Sequence, residues 1–172
     1  MILRRFCYNS AMVAVLQNIR SLHNVGSIFR TADAAGLEKL YLCGITPAPV
    51  DRFGTIRPQL AKVALGAEKS VAWDGSARSP RAIGRLLESL KKDGYKILAL
   101  EQSKKSIPYF KLKVNSQKSK VVLIVGHELI GLPKTILDKA DKILEIPMGG
   151  KKESLNVAVA FGIVAFHLIH IK

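Results

Sequence analysis

The chain has 172 residues, one ordinary domain's worth, and carries 27 Lys and Arg against 13 Asp and Glu, a formal net charge of +14. Apolar types make up 48% of it, which excludes a disordered basic tail, a collagen-like repeat or a coiled coil as a description of the whole. Its two cysteines, Cys7 and Cys43, exclude a disulfide-framework mini-protein and point to a reducing compartment.

In chain order, short apolar runs at residues 12–16, 39–43, 70–73, 97–100, 121–125 and 143–146 read as strands. Several are apolar almost throughout, as expected of strands buried on both faces. Between them, helical patterns fall near residues 25–35, 59–65, 80–92, 133–139 and 155–169. This alternation predicts an α/β domain with a mainly parallel sheet. Pro133 suits the first turn of its helix, where a missing N–H does no harm. Ser154 is the expected N-cap of the last helix. Residues 157–166 are apolar or small on every side, which predicts a helix buried all round. In a chain this short, a second subunit is one way to cover it. Residues 103–120, with six lysines and Pro108, form the one long polar connector.

No segment reaches the roughly 18 uninterrupted apolar residues of a membrane span. Arg4 and Arg5 precede only a weak apolar stretch with no cleavage site, so a cytoplasmic protein is expected. With no repeat and no boundary in view, the expectation is a single domain over residues 1–172. So large a basic excess calls for a polyanionic partner, nucleic acid ahead of a membrane surface.

Ligands of open parallel sheets bind at the carboxyl ends of strands. Three such ends are candidates: Leu98-Ala99-Leu100-Glu101, the run from Val125 to Leu132 (VGHELIGL), and the run from Ile146 to Asn156 (IPMGGKKESLN). Glycines in the last two allow sharp turns and close approach of backbone to a ligand. Backbone N–H and C=O groups with Leu, Ile and Met side chains suit a flat heteroaromatic ring such as adenine. Phosphate-loop readings fail, because Glu145 and Lys152 stand where a Walker A loop needs Gly and Ser or Thr, and no G-x-G-x-x-G follows the first strand. No metal site is expected: Cys7 and Cys43 lack C-x-x-C spacing, and His167 and His170 have no carboxylate or thiol nearby in sequence. Upstream, Arg20, Asn24 and Arg30 surround the start of the first helix, a place that can hold a phosphodiester.

Taken together, three segments resemble the TrmH/SpoU-type RNA ribose 2′-O-methyltransferases of the SPOUT superfamily. They are Asn24-Val25-Gly26-Ser27-Ile28-Phe29-Arg30-Thr31-Ala32, Gly126-His127-Glu128-Leu129-Ile130-Gly131-Leu132, and Ile146-Pro147-Met148 followed by Ser154-Leu155-Asn156-Val157. The resemblance spans nearly the whole chain, so no separate RNA-binding domain of the kind many relatives carry is expected. It implies an α/β/α domain with a parallel sheet and a C-terminal deep trefoil knot, and a homodimer with the site at its interface. It also implies S-adenosyl-L-methionine as methyl donor, S-adenosyl-L-homocysteine as product, and tRNA or rRNA as substrate, with no metal and no membrane partner.

By position, the resemblance makes Gly126, Ile146 and Leu155 donor-binding residues, with Leu100 and Met148 as pocket walls. Arg30 takes the place of the family's catalytic arginine and Asn24 of its partner. Glu128 stands for the acidic residue of the second motif, and Ser154 and Asn156 for the polar pair of the third. Family members commonly have Asn before the Glu, where this chain has His127. A guanidinium, with a pKa above about 12, is a poor base at neutral pH, so Arg30 is expected to clamp phosphate and orient the hydroxyl. Glu128 is open to two roles, catalytic or tying down backbone N–H groups of its own loop. Two alternatives stand beside this reading. One is methylation of a base nitrogen on the same fold, against which the Asn24/Arg30 motif speaks. The other is a non-catalytic knotted RNA-binding module, against which the joint presence of Arg30, Glu128, Ser154 and Asn156 speaks. Lys151 and Lys152, inside the third motif, are the first-choice RNA contacts.

Overall fold

The computed structural model describes residues 11–113 and 119–170; Arg4, Arg5 and Cys7 lie outside the described residues. Its elements run β1 (Met12–Gln17), α1 (Leu22–Ala35), β2 (Lys39–Cys43), α2 (Pro58–Ala64), α3 (Ala67–Ser70), β3 (Ala72–Asp74), α4 (Pro80–Lys92) and β4 (Tyr95–Leu100). They continue through β5 (Ile107–Pro108), a single 3-10 turn (Tyr109–Lys111), β6 (Lys120–Val125), α5 (Lys134–Leu137), β7 (Lys142–Glu145) and α6 (Val157–His170). The sheet order is β3-β2-β1-β6-β4-β7-β5, and every pairing in it is parallel.

The near-continuous apolar strands have the burial that their composition requires. In β6, Val121, Leu123 and Val125 face a core shared with α1, α2 and α6, while Val122 and Ile124 face a second core against α4 and α5. The two-residue period of the strand divides one apolar run between two layers of helices. This is the α/β/α arrangement.

Helix ends are set locally. The Ser21 hydroxyl accepts from the Asn24 N–H at 3.2 Å, so α1 begins at Leu22, earlier than the apolar periodicity suggests. Asn24 therefore sits in the first turn of a helix. The expected strand at residues 70–73 shifts to β3, because the Ser70 hydroxyl donates to the Ala67 carbonyl and to Asp33, which commits Ser70 to α3. Pro133 is the extended N-cap residue of α5 and not part of its first turn. That helix is shorter than expected; its last turn closes by i→i+3 bonds at Lys139 and Ala140. The polar connector holds β5, with Pro108 at the sheet edge where a missing N–H breaks no ladder.

Two expectations for the last helix are corrected. Asn156, not Ser154, caps α6: its Oδ1 accepts from the N–H of Ala158 at 2.9 Å and of Val159 at 3.4 Å. Nor is α6 buried all round within one chain. Phe161, Val164, Ala165, Leu168 and Ile169 are buried, but Val159, Ile163 and Phe166 stay 52%, 37% and 40% exposed. Among the described residues, no helix is long and apolar enough to cross a membrane.

Candidate active site

The carboxyl ends of β4, β6 and β7 lie side by side, and the loops that leave them enclose a cleft of about 360 Å³. Every catalytic or donor-binding candidate except Arg30 lines it: Asn24, Leu100, Gly126, Glu128, Ile146, Met148, Ser154, Leu155 and Asn156. Two glycines shape the neck of the second-motif loop. A Cβ on Gly126 would lie 2.7 Å from the Gly131 carbonyl carbon and 2.8 Å from the Leu132 nitrogen. Gly131 has φ +67° and packs on the Glu101 carboxylate, so it too admits no side chain.

Glu128 ties the first motif to the second. Its Oε2 accepts from the Arg20 N–H at 3.1 Å, and its Oε1 from the Ser21 N–H at 3.2 Å and the Asn24 amide at 3.0 Å. It thus holds a second loop, 19–24, as well as its own backbone N–H. Burial pushes its carboxyl pKa up, but these donors and its own backbone N–H outweigh that and hold it below the ordinary glutamate value. Asn24 passes the connection on, its Oδ1 accepting from the Asn156 amide at 3.1 Å. One residue from each motif therefore joins a continuous polar chain, Glu128 to Asn24 to Asn156.

His127 fills the position where an Asn is common in the family. Its Nδ1 accepts from the Leu129 N–H at 3.0 Å, the bond that an Asn side chain makes to the backbone two residues on. The turn is completed by the Gly131 N–H donating to the His127 carbonyl at 2.9 Å.

Sequence reasoning placed Glu101 at a candidate strand end without giving it a role, and missed Gln102. The Glu101 carboxylate accepts from the Leu132 N–H at 2.7 Å, and Gln102 Nε2 donates to the Glu153 carbonyl at 2.6 Å, fastening the second and third loops to the end of β4. Among the described residues, the charged side chains that line the cleft are Glu101, Glu128 and Glu145, without a lysine or arginine. In a chain of net charge +14 that is a local reversal of sign. Arg30 lies exposed on α1 and is not among the residues that line the cleft. Lys151 and Lys152 are exposed in the third loop.

Among the described residues, no group of three or more His, Cys, Asp and Glu is placed to hold a metal ion. His167 meets the edge of Tyr109 at 5.0 Å, and His170 stacks on Phe166 at 6.2 Å.

A model of the SpoU rRNA Methylase family matches residues 11–166. The tRNA (guanosine(18)-2′-O)-methyltransferase of Aquifex aeolicus (strain VF5) is 31% identical over 156 residues, 90% of this chain and 67% of that protein. The 23S rRNA (guanosine-2′-O-)-methyltransferase RlmB of Ralstonia nicotianae is 30% identical over 158 residues, 92% of this chain and 58% of that one. A crystal structure of an AdoMet-bound rRNA methyltransferase from Sinorhizobium meliloti superposes with a TM-score of 0.78 at 28% identity, covering 92% of this chain and 55% of that one. The chain thus spans a little over half to two thirds of the length of these relatives. It belongs to the SpoU rRNA Methylase family.

Proposed function

We propose that the protein is an S-adenosylmethionine-dependent RNA methyltransferase that modifies a ribose 2′-hydroxyl of tRNA or rRNA. The observation that carries this is the polar chain from Glu128 through Asn24 to Asn156, which joins the three motifs at the mouth of one cleft. Family membership and the names of the relatives support it.

The residues present fit the donor. Leu100, Ile146, Met148 and Leu155 offer apolar walls for a flat ring, and the cleft's volume falls within the ordinary range for small-molecule sites. Three carboxylates along the cleft complement a cationic ligand. When bound, S-adenosylmethionine supplies a methyl group already activated by a positive sulfur. The protein's part is to hold the hydroxyl in line, guide its proton away and balance the nearby phosphate. Asn24 and Asn156 orient polar groups at the cleft mouth, Ser154 adds a hydroxyl beside them, and Glu128 positions Asn24. Arg30 clamps phosphate and orients the hydroxyl.

The homodimer belongs to the same proposal. It is supported by the exposed apolar row Val159, Ile163 and Phe166 on α6, and by Leu129 and Ile130, 84% and 79% exposed at the tip of the second-motif loop. Arg30, exposed and outside the cleft of its own chain, fits a site completed by a second copy. The C-terminal trefoil knot, a single methyltransferase domain and a cytoplasmic location complete the reading; one unbroken seven-stranded sheet supports the second.

The test is calorimetric binding of S-adenosylmethionine, followed by tritiated-methyl transfer to bulk tRNA and rRNA. Modified RNA is expected to resist alkaline cleavage at the labelled nucleotide, because a 2′-O-methyl group blocks it. Label on a base would favour the base-nitrogen reading, and no donor binding with no transfer would favour the non-catalytic one.

A further inference from the structure

On the other side of residues 19–21 from the cleft lies a second concavity of about 690 Å³ with the opposite charge. Four arginines from three segments line it: Arg20, then Arg52 and Arg57 around one hairpin, and Arg78. The one carboxylate among its lining residues, Asp51, accepts from the N–H groups of Phe53 at 2.8 Å and Thr55 at 3.0 Å. Arg78 is anchored by donating to the Thr46 carbonyl at 2.6 Å and the Gly44 carbonyl at 3.1 Å, whereas the buried Nε of Arg57 donates to nothing among the described residues. Trp73, the chain's only tryptophan, forms part of the wall, half-buried. A small hairpin closed by the Val50–Ile56 bridge holds out Phe53, 77% exposed, with the Arg52 guanidinium 4.7 Å above its ring.

We propose that this arginine cleft is an RNA subsite distinct from the methyl-transfer cleft, holding phosphodiesters of the segment that flanks the target nucleotide while Phe53 and Trp73 present faces to its bases. It rests on the RNA methyltransferase reading above. Guanidinium forks grip phosphate oxygens in pairs, and exposed aromatic rings beside them are the usual platform for unpaired bases. A second copy of a chain with net charge +14 would set like charge against these arginines, so it fits the surface poorly. The two clefts adjoin through a wall at Arg20, which lines the second concavity and whose N–H donates to Glu128 in the first, so a strand held there runs up to the Asn24 rim. The wall is also fixed from behind, since buried Thr46 accepts from the Ile19 N–H at 3.1 Å and donates to the Leu16 carbonyl at 2.8 Å.

Trp73 makes the subsite visible without any turnover. A short labelled oligouridine added to the full chain is expected to change Trp73 emission saturably, in parallel with its own anisotropy. The double variant Arg52→Gln/Arg57→Gln should weaken binding by about tenfold and flatten the slope of log affinity against log salt by roughly 0.7 for each phosphate left without its guanidinium. Phe53→Ala should weaken it by roughly tenfold, the worth of one stacked base. Arg57→Lys should recover part of the loss, and all variants should keep wild-type affinity for S-adenosylmethionine. Should Arg57→Gln unfold the protein, Arg52→Gln and Phe53→Ala at the exposed hairpin tip carry the test. Variants that bind oligouridine like the wild type, a Trp73 signal indifferent to RNA, or loss of self-association with RNA affinity intact would each overturn the subsite. Absence of methyl transfer by the wild type would count against the enzymatic reading alone, because binding is read separately.

Discussion

The Asn24 amide donates to the Glu128 carboxylate at 3.0 Å across 104 residues of chain, and the other end of the same amide accepts from Asn156. Its orientation is fixed from both sides, because a carboxylate can only accept and the Asn156 Nδ2 can only donate. Replacing Glu128 by Gln leaves one acceptor oxygen for three donors, the N–H groups of Arg20 and Ser21 and the Asn24 amide. Leaving a partly buried donor unsatisfied costs about 1 kcal/mol or somewhat more. The expected outcome for Glu128→Gln is a Tm lower by roughly 2–4 °C, with methyl transfer falling further than donor affinity. An unchanged melt and rate would remove Glu128 from the positioning role.

The acid limb of stability should show two separate contributions. Glu128 has a folded pKa below its ordinary value, so it binds fewer protons folded than unfolded. Its contribution is complete above the unfolded glutamate pKa of about 4.3 and disappears as pH falls through the folded value. His167 is lowered by burial, and its Nε2 is buried without a hydrogen-bond partner among the described residues. Stability should therefore also fall as pH drops from about 6.5 through the lowered folded value, because the unfolded imidazole takes the proton first. Melting curves across acid pH should separate them: His167→Leu flattens the upper part of the decline and Glu128→Gln the lower. Curves that superpose on the wild type would contradict both.

How much of this was legible in the sequence depended on how local the signal was. The central strands were readable because a strand buried on both faces is nearly all apolar, as β1 and β6 are, whereas the two-residue β5 inside the polar connector was not. The start of β3 was not, since Ser70 is committed to α3 by a hydrogen bond to Asp33, 37 residues away. The last helix read correctly as apolar, but Val159, Ile163 and Phe166 are exposed, and periodicity cannot say which apolar face finds a partner within its own chain. Within the site, motif residues were identifiable one segment at a time. The role of Glu128 was not, because its partners lie more than a hundred residues away, on Arg20, Ser21 and Asn24. The arginine cleft had no sequence signature for the same reason: Arg20, Arg52, Arg57 and Arg78 meet only after β1, β2 and β3 are paired.

Gly126→Ala tests the neck of the cleft. The added methyl meets the Gly131 and Leu132 backbone, which cannot rotate away as a flexible side chain would. Overpacking of this kind typically costs about 1–3 kcal/mol. Relief of the clash has to move the second-motif loop, so S-adenosylmethionine affinity should fall by at least tenfold while circular dichroism stays that of the wild type. Donor affinity equal to the wild type would mean that this loop does not shape the donor cleft.

Self-association should depend on the exposed row of α6. The protein is expected to be a dimer at micromolar concentration by light scattering, and Val159→Glu with Phe166→Glu should make it a folded monomer. Each exposed apolar side chain buried at an interface contributes of order 1–2 kcal/mol by area, and a buried unpaired carboxylate adds a further penalty. A wild-type monomer with a folded spectrum at that concentration would remove the dimer from the proposal. So would a double variant that still dimerises with wild-type strength, at least through this face.

Arg30 gives the sharpest separation of roles. It is exposed on α1 and outside the lining of the cleft, so Arg30→Ala should leave S-adenosylmethionine affinity within about twofold, far below the 1.4 kcal/mol of a tenfold change. Methyl transfer should nevertheless fall by a hundredfold or more, about the loss seen when one charge-stabilising donor is removed from an active site. Arg30→Lys then distinguishes two ways of acting. Lysine keeps the positive charge but has no planar fork to grip two phosphate oxygens together. If Arg30 is a two-pronged clamp, the Lys variant should be almost as inactive as Ala; if charge alone matters, it should recover much of the rate. A mixing experiment then asks where the arginine acts. Arg30→Ala chains combined with chains disabled at the donor cleft by Gly126→Ala should regain part of the activity if Arg30 serves the cleft of the other copy. The regained activity comes from mixed dimers that contain one intact composite site. Each variant alone, and the mixture, should be inactive if Arg30 serves only its own chain. An Arg30→Ala protein that methylates RNA at the wild-type rate would place the chemistry on Asn24, Ser154 and Asn156 instead.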